Sequence, residues 1–404
     1  MKRLTHGILG VMSAVVLTAG MAVLPASAAQ PPPAQRPSMG YNTWYQYRTN
    51  LSEAEILRQA QLLVSSGLAG IGYNFVNLDD GWMAPQRTAD GTLTWNAAKF
   101  PHGIPWLASQ IHSLGLKFGI YAAIGTRTCR NLPGSWSHYK QDAQEFADWG
   151  VDFVKIDECG GLPRWTTTAT LTQNFQDYGG DLRAANSSVV YSEELPIYQM
   201  GKPGFLSTVK SSATFANMWR VAPDENYTQP ASTTIIGHLA ADLHLHAFAG
   251  PGHWNDLDMI LPGRQTAMPF DWTLAQQESQ LSVWAIEASP LLMSTDIATL
   301  TSAELAALKN PHMIAIDQSG AQAAKAVTSG HVEAVIKAAD GGTAVLFANL
   351  GAGTASAKFT LAQFGLSTAR ASGYNVWTGK TSNFSGVSVT LSAGQTTLTV
   401  MKGL

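Results

Sequence analysis

From Pro37 to about Pro311 the chain alternates short β-branched or aromatic runs with amphipathic helical segments, and no other feature limits the possible folds as sharply. Candidate strands are Ser38–Tyr41, Gly72–Leu78, Leu116–Tyr121, Val151–Ile156, Ser188–Ser192, Ala213–Met218, a segment around Ala247–Ala249, and Pro290–Ser294. After the first of them Ser52 opens a capping box with Glu55, and Ile56, Leu57, Ala60, Leu63 and Val64 share one helical face stopped by Gly67. A helix over Gln141–Trp149 presents Ala143, Phe146 and Ala147 and also ends at a glycine, Gly150. Repeated β/α units over this length predict an α/β fold, a closed parallel (β/α)8 TIM barrel whose site lies where strands run out into loops. A doubly wound open sheet competes with it, but no Gly-rich phosphate turn follows the first strand.

After about Ser319 the pattern changes to short alternating strands, Val332–Ala338, Thr343–Leu350, Tyr374–Gly379, Val387–Leu391 and Thr396–Met401, separated by Gly, Ser and Thr. A small C-terminal antiparallel β-sandwich is therefore expected over 319–404, behind a barrel over 37–318. At the other end a basic start, an apolar run from Ile8 to Leu24 and the triplet Ala26-Ser27-Ala28 predict a secretory signal peptide over 1–28. A Pro-rich linker over 29–36 follows, and the mature protein is expected outside the cell.

The formal net charge is only −3 and no basic run follows Arg3, so neither nucleic acid nor a membrane surface is an expected partner. The chain has two cysteines, Cys129 and Cys159. They are either two buried thiols or one bridge, and their positions just past two successive predicted strands favour the bridge.

Carboxylates and aromatics gather where the predicted strands end. Asp79, Asp80 and Trp82 follow the second strand, Tyr121 ends the third, Lys155 and Asp157 close the fourth, and Glu193 and Glu194 follow the fifth. Arg220 and Asp224 come after the sixth, and Trp254, Asp256 and Asp258 after the seventh. Singly, each has a structural reading, as an N-cap or an ion pair. Lys155 and Asp157, however, stand two apart in an extended segment, so both face one way, and a lysine beside a carboxylate favours the ionised form a nucleophile needs. Glycoside hydrolysis with retention asks for two carboxyls about 5 to 5.5 Å apart, with further acids and aromatics to hold the sugar. This rim can supply them. A metal site is not predicted, because His244, His246 and His253 match no defensible ligand spacing.

Ser38–Trp44, Leu78–Trp82, Gly115–Tyr121, Phe146–Asp152, Lys155–Cys159 and Gly250–Met259 together resemble the melibiase-type α-galactosidases, family 27 of the glycoside hydrolases, in order from Pro37 to Asp317. The resemblance implies a (β/α)8 barrel with a C-terminal β-sandwich, no metal or organic cofactor, and double displacement with retained configuration. It carries the nucleophile onto Asp157 and the acid/base onto Asp224, with Glu225 the nearest rival. It assigns Trp44, Asp79, Asp80, Tyr121, Lys155, Glu194, Arg220 and Asp258 to the sugar pocket and bridges Cys129 to Cys159.

The resemblance also bears on the sugar. Relatives that take N-acetylgalactosamine carry small residues where Glu194 and Ile197 stand, so bulk there favours galactose in oligosaccharides or polysaccharides. A β-L-arabinopyranosidase would need a longer acid near C6, whereas Asp79-Asp80 is a short pair that leaves room. Glu158 and Glu193 depart from the family pattern by adding charge. A non-catalytic carbohydrate-binding protein is the reading of another class, disfavoured because both catalytic carboxylates are present. Tyr374 and Trp377 are expected to be core rather than a glycan-binding ladder.

Overall fold

Eight short strands, buried on almost every residue, form one parallel sheet: β1 Met39–Asn42, β2 Phe75–Asn77, β3 Lys117–Ala123, β4 Phe153–Asp157, β5 Val190–Glu193, β6 Met218–Arg220, β7 Trp254–Asp256 and β8 Leu291–Met293. The computed structural model that shows them describes residues 1, 33–160, 167–225, 230–263, 272–323 and 325–404. Residues 2–32, which hold nearly all of the expected export signal and half of the linker, lie outside those described. Among the described residues no helix is long and apolar enough to cross a membrane.

Each strand from β1 to β6 pairs in parallel with its successor, and β1 also pairs with β8. The ring closes through Ile260, which follows β7. Its N–H donates to Leu292 O at 3.0 Å, and Ser294 N–H donates back to Ile260 O at 3.0 Å. The molecule is thus a (β/α)8 barrel, whose strands read as apolar runs because parallel strands are covered on both faces.

Inward-facing Phe75, Phe153, Val190, Met218, Trp254 and Leu292, from six strands, fill the barrel lumen. Phe75 and Phe153 meet edge to face at 5.6 Å. Outward-facing residues pack on the helices. The helix Glu53–Ser65 starts at Ser52, whose side chain accepts from Glu55 N, and buries Ile56, Ala60 and Leu63. Val64 lies off that face and is 42% exposed.

Two strands differ from the sequence expectation. Ala213–Phe215 are the last turn of the helix Phe205–Phe215, and β6 starts only at Met218. His246–Phe248 form a single 3-10 turn, and β7 is Trp254–Asp256, so Trp254 belongs to the lumen layer rather than the rim. Both strands are three residues long. So short a run has no alternation to read, and the apolar stretches beside them drew the assignment instead.

Behind the barrel, antiparallel strands β9 Lys325–Ser329, β10 Val332–Ala339, β11 Gly342–Asn349, β12 Ala355–Phe359, β13 Ala371–Asn375, β14 Thr381–Phe384, β15 Val387–Leu391 and β16 Thr396–Gly403 make a six-stranded and a two-stranded sheet. Phe347, Phe359 and Phe364 pack between them. The strand expected over Tyr374–Gly379 is Ala371–Asn375, with Gly379 left-handed in the turn that follows. Tyr374 and Trp377 are half-buried, Trp377 donating from Nε1 to Ser282 Oγ of the barrel at 2.8 Å.

Candidate active site

Parallel strands all point their C-terminal ends to one rim, so each strand's last residues and its loop converge there. They line a pocket of about 300 Å³. Trp44 and Tyr45 come from the turn after β1, Asp79 and Asp80 from the turn after β2, and Tyr121 from β3. Cys129 and Arg130 follow β3, and Lys155 and Asp157 belong to β4. Cys159, Glu194, Tyr198, Arg220, Asp224, Asp258 and Met259 complete the wall. Every residue expected at the sugar site lines this one pocket except Ile197, which sits in a 3-10 turn that turns its neighbour Tyr198 inward instead.

Asp157, at the end of β4, is 6% exposed. Its Oδ2 accepts from Tyr121 OH at 2.9 Å, and its Oδ1 accepts from Glu158 N at 2.7 Å and from Tyr198 OH. Lys155 faces the same cavity but does not bond Asp157. Its ammonium lies 3.2 Å from Asp79 Oδ2 and 3.1 Å from Glu194 Oε1. No hydrogen bond joins the two, although their charges attract across the cavity: hydroxyls and a backbone N–H bond Asp157, and Lys155 pairs directly with Asp79 and Glu194 at the ends of β2 and β5.

Cys129 and Cys159 are bridged, Cα to Cα 4.7 Å. The bridge joins the loops after β3 and β4 beside Asp157, with Cys129 Sγ 3.1 Å from Asp157 Oδ2.

Arg220 ends β6 and is 2% exposed. Its Nη1 lies 3.3 Å from Glu194 Oε1 and 3.1 Å from Asp258 Oδ1, and its Nη2 donates to Asp224 Oδ1 at 3.1 Å. The Asp224 carboxylate is the open one, 74% exposed. Burial pushes it up, but Arg220, Lys155 and Arg48 outweigh that and hold it below the usual carboxylate range. In the free pocket Asp224 is thus ionised. Its rival Glu225 is turned into the wall: it is 1% exposed, and its Oε1 accepts from Gln280 Nε2 at 2.5 Å.

Asp258 adopts φ +87°, unusual for a non-glycine and the kind of strain found at functional sites. That bend lets Oδ2 accept from Tyr45 OH at 2.7 Å and from Glu225 N at 2.8 Å. Asp79 is likewise tied down, by Asn42 Nδ2 at 3.1 Å and by Lys155. Asp80 is not. Its Oδ2 accepts from Arg130 N at 2.9 Å, but its buried Oδ1 has no hydrogen-bond partner. Burial, and Asp79 beside it, push this carboxyl up to about 6.

Glu193 faces away from the pocket, wholly buried behind β5, where desolvation pushes it up to about 8. Glu158, half-buried beside Asp157, is pushed up to about 7 by burial and then by that charge. Tyr45, Tyr198, Arg130 and Met259 line the pocket without having been expected there. Tyr45 adjoins Trp44 and Tyr198 adjoins Ile197, so proximity to a named residue is the only sequence signal for either. Among the described residues, Asp242, His246 and Glu287 form a separate buried acid–imidazole cluster.

A closed parallel barrel whose strand ends surround one sugar-sized pocket with carboxylates, backed by a β-sandwich, is the architecture of the two-domain barrel glycoside hydrolases. The chain belongs to the melibiase-type α-galactosidase family, glycoside hydrolase family 27: the family described as Alpha galactosidase A matches residues 36–319, and the Alpha galactosidase C-terminal beta sandwich domain matches 329–401. It is 36% identical to human Alpha-galactosidase A over 70% of this chain and 66% of that protein. It is also 36% identical to human Alpha-N-acetylgalactosaminidase, over 70% of this chain and 69% of that protein. The chain spans 59% of the length of another relative, a probable alpha-galactosidase A of Aspergillus fumigatus. The crystal structure of alpha-galactosidase I from Mortierella vinacea superposes with a TM-score of 0.80 at 26% identity, covering 92% of this chain and 98% of that one.

Proposed function

We propose that the protein is a retaining, exo-acting α-galactosidase that releases terminal α-linked D-galactose through a covalent glycosyl-enzyme intermediate on Asp157. The observation that carries this is the setting of Asp157. It is a buried carboxylate aimed into a sugar-sized pocket, its charge held by two tyrosine hydroxyls and a backbone N–H, with Asp224 on the same rim.

Asp157 attacks the anomeric carbon while Asp224 gives its proton to the leaving oxygen; Asp224 then takes a proton from water as the ester is hydrolysed. Asp224 must be protonated for the first step although it rests ionised. A sugar over the pocket strips water from its exposed carboxylate, and desolvation already presses it upward. Once Asp157 is an ester its charge is gone, which favours the ionised Asp224 that the second step needs.

Asp79 and the unpartnered Asp80 Oδ1 await hydroxyls of the sugar, so an epimer at C4 leaves a buried acceptor unpaired. Glu194, fixed by Lys155 and Arg220, and Tyr198 occupy the space that a 2-acetamido group would require. The identity shared with human Alpha-N-acetylgalactosaminidase does not separate the two sugars, so the choice rests on these side chains.

The test compares kcat/KM for p-nitrophenyl α-D-galactopyranoside, its N-acetylgalactosaminide analogue and the β-L-arabinopyranoside. The galactoside should lead by orders of magnitude, and a lead by either rival overturns the assignment. Asp157→Ala should abolish turnover, with azide restoring it to give the inverted glycosyl azide. Rescue with retention would point to another nucleophile.

A further inference from the structure

Beside the sugar pocket, and sharing Asp224 with it, lies a second recess of about 570 Å³. Its walls are the turn at Met200 and Gly201, the start of the Phe205–Phe215 helix, Pro223, and one face of the helix Ala231–Asp242. Phe205, Met200, Pro223, Ala240 and Ala241 make it mainly apolar.

Its position has a chemical meaning that rests on the α-galactosidase reading. The acid/base sits on the glycosidic oxygen, between the sugar being released and the group it leaves. With the sugar on Asp157's side of Asp224, the recess on the other side faces the leaving group.

The polar side chains of the lining are Asp224, Thr233, Thr234 and His238, and Thr234 Oγ1 donates to Pro230 O at 3.4 Å. His238 turns both ring nitrogens to backbone carbonyls, Nδ1 to Thr234 O at 2.6 Å and Nε2 to Pro223 O at 2.9 Å. Gly237 lines the recess, and a Cβ built there would meet nothing within 4 Å, so the position faces open space.

We propose that this recess is the leaving-group subsite and that it selects an aromatic aglycone, laid against Phe205 and Met200. A second sugar ring brings several hydroxyls that this lining cannot satisfy, whereas a flat apolar ring loses nothing on burial.

Two variants test it. Gly237→Leu fills the recess without a backbone clash, and Phe205→Ala removes its platform. For each, kcat/KM is measured on p-nitrophenyl and methyl α-D-galactosides and on the disaccharide in which α-D-galactose is linked to O6 of glucose, together with competitive inhibition by free galactose. The aryl galactoside should lose about tenfold relative to the methyl galactoside, with the inhibition constant of galactose unchanged.

Damage to Asp224 gives the opposite signature, because methyl and sugar leaving groups depend on protonation far more than nitrophenol does. An aryl-to-methyl ratio that stays within twofold in both variants overturns the proposal. So does a loss confined to the disaccharide, which would make the recess a sugar subsite. Wild-type protein inert on every α-galactoside would instead sink the parent reading.

Discussion

Asp157 is held by partners that are themselves forced into their roles by burial. Tyr198 is pushed far above its usual range by desolvation and then by the Asp157 charge, so its hydroxyl keeps its proton and donates it to the carboxylate. Tyr198→Phe should therefore lower kcat/KM by about tenfold or more, the scale of a lost hydrogen bond to a charged group, while leaving the fold intact. An unchanged kcat/KM would show that Tyr121 and the Glu158 N–H suffice. Glu193 makes the converse case. Its carboxyl is raised in the fold to about 8 from an ordinary 4.5, so the ionised form is penalised in the native state. The penalty is absent below pH 4.5 and complete once pH passes 8, where it amounts to a few kcal/mol. Glu193→Gln should raise Tm relative to wild type at pH 8.5 and change it little at pH 5; equal shifts at both pH values would show that the carboxyl is not neutral in the fold. That Lys155 and Asp157 share a cavity is legible from alternation along β4. That Lys155 serves Asp79 and Glu194 is not, because those residues arrive from other strands 76 and 39 positions away.

Elements of three or four residues owe their existence to their neighbours rather than to propensity. β1 is such a strand, and its pairing with β2 depends on Gly40 opposite Phe75. A Cβ at Gly40 would lie 2.2 Å from Phe75 O. Backbone cannot yield there as a flexible side chain could, so Gly40→Ala should destabilise by more than about 3 kcal/mol, at the upper end of single substitutions. Urea melts would check it, and a loss under 1 kcal/mol would mean that the strands separate at little cost. The same dependence explains which elements a reader of the sequence finds. β3 and β4, at seven and five residues, carry enough apolar pattern to be seen, and the Glu53–Ser65 helix announces itself through its cap. β6 and β7 are set by closure of the ring, a long-range condition with no local trace, and the apolar end of the preceding helix reads as a strand in place of β6.

At the scale of the molecule, the barrel's outer core and the sandwich share one apolar cluster. Val335, Leu346, Leu398 and Val400 of β10, β11 and β16 pack in continuity with Trp284 and Ile286 of the barrel. Into this junction β10 sends a lysine, Lys337, wholly buried, whose Nζ donates to Ala285 O at 3.0 Å. Burial lowers its pKa to about 8, against the pull of Asp317 and Glu287. Asp317, buried on the barrel side, is raised to about 7 by desolvation, with Lys337 opposing the rise. A buried charge that loses its partner is far more costly than a pair replaced whole. Lys337→Met deprives Asp317 of its counter-charge, so the cost depends on whether Asp317 is ionised. Below pH 6 the carboxyl is protonated in the fold and the variant should lose little. At pH 7.5, between the two values, both wild-type side chains are mostly charged and the loss should be larger, up to about 3 kcal/mol, and Lys337→Met with Asp317→Asn should recover most of it. Because the apolar cluster is continuous, calorimetry should show one transition for barrel and sandwich together, shifting as a whole. The same loss for Lys337→Met at pH 5.5 and pH 7.5 would mean that Lys337 acts through packing alone, and two separate transitions would mean that the two parts of the chain are stabilised independently.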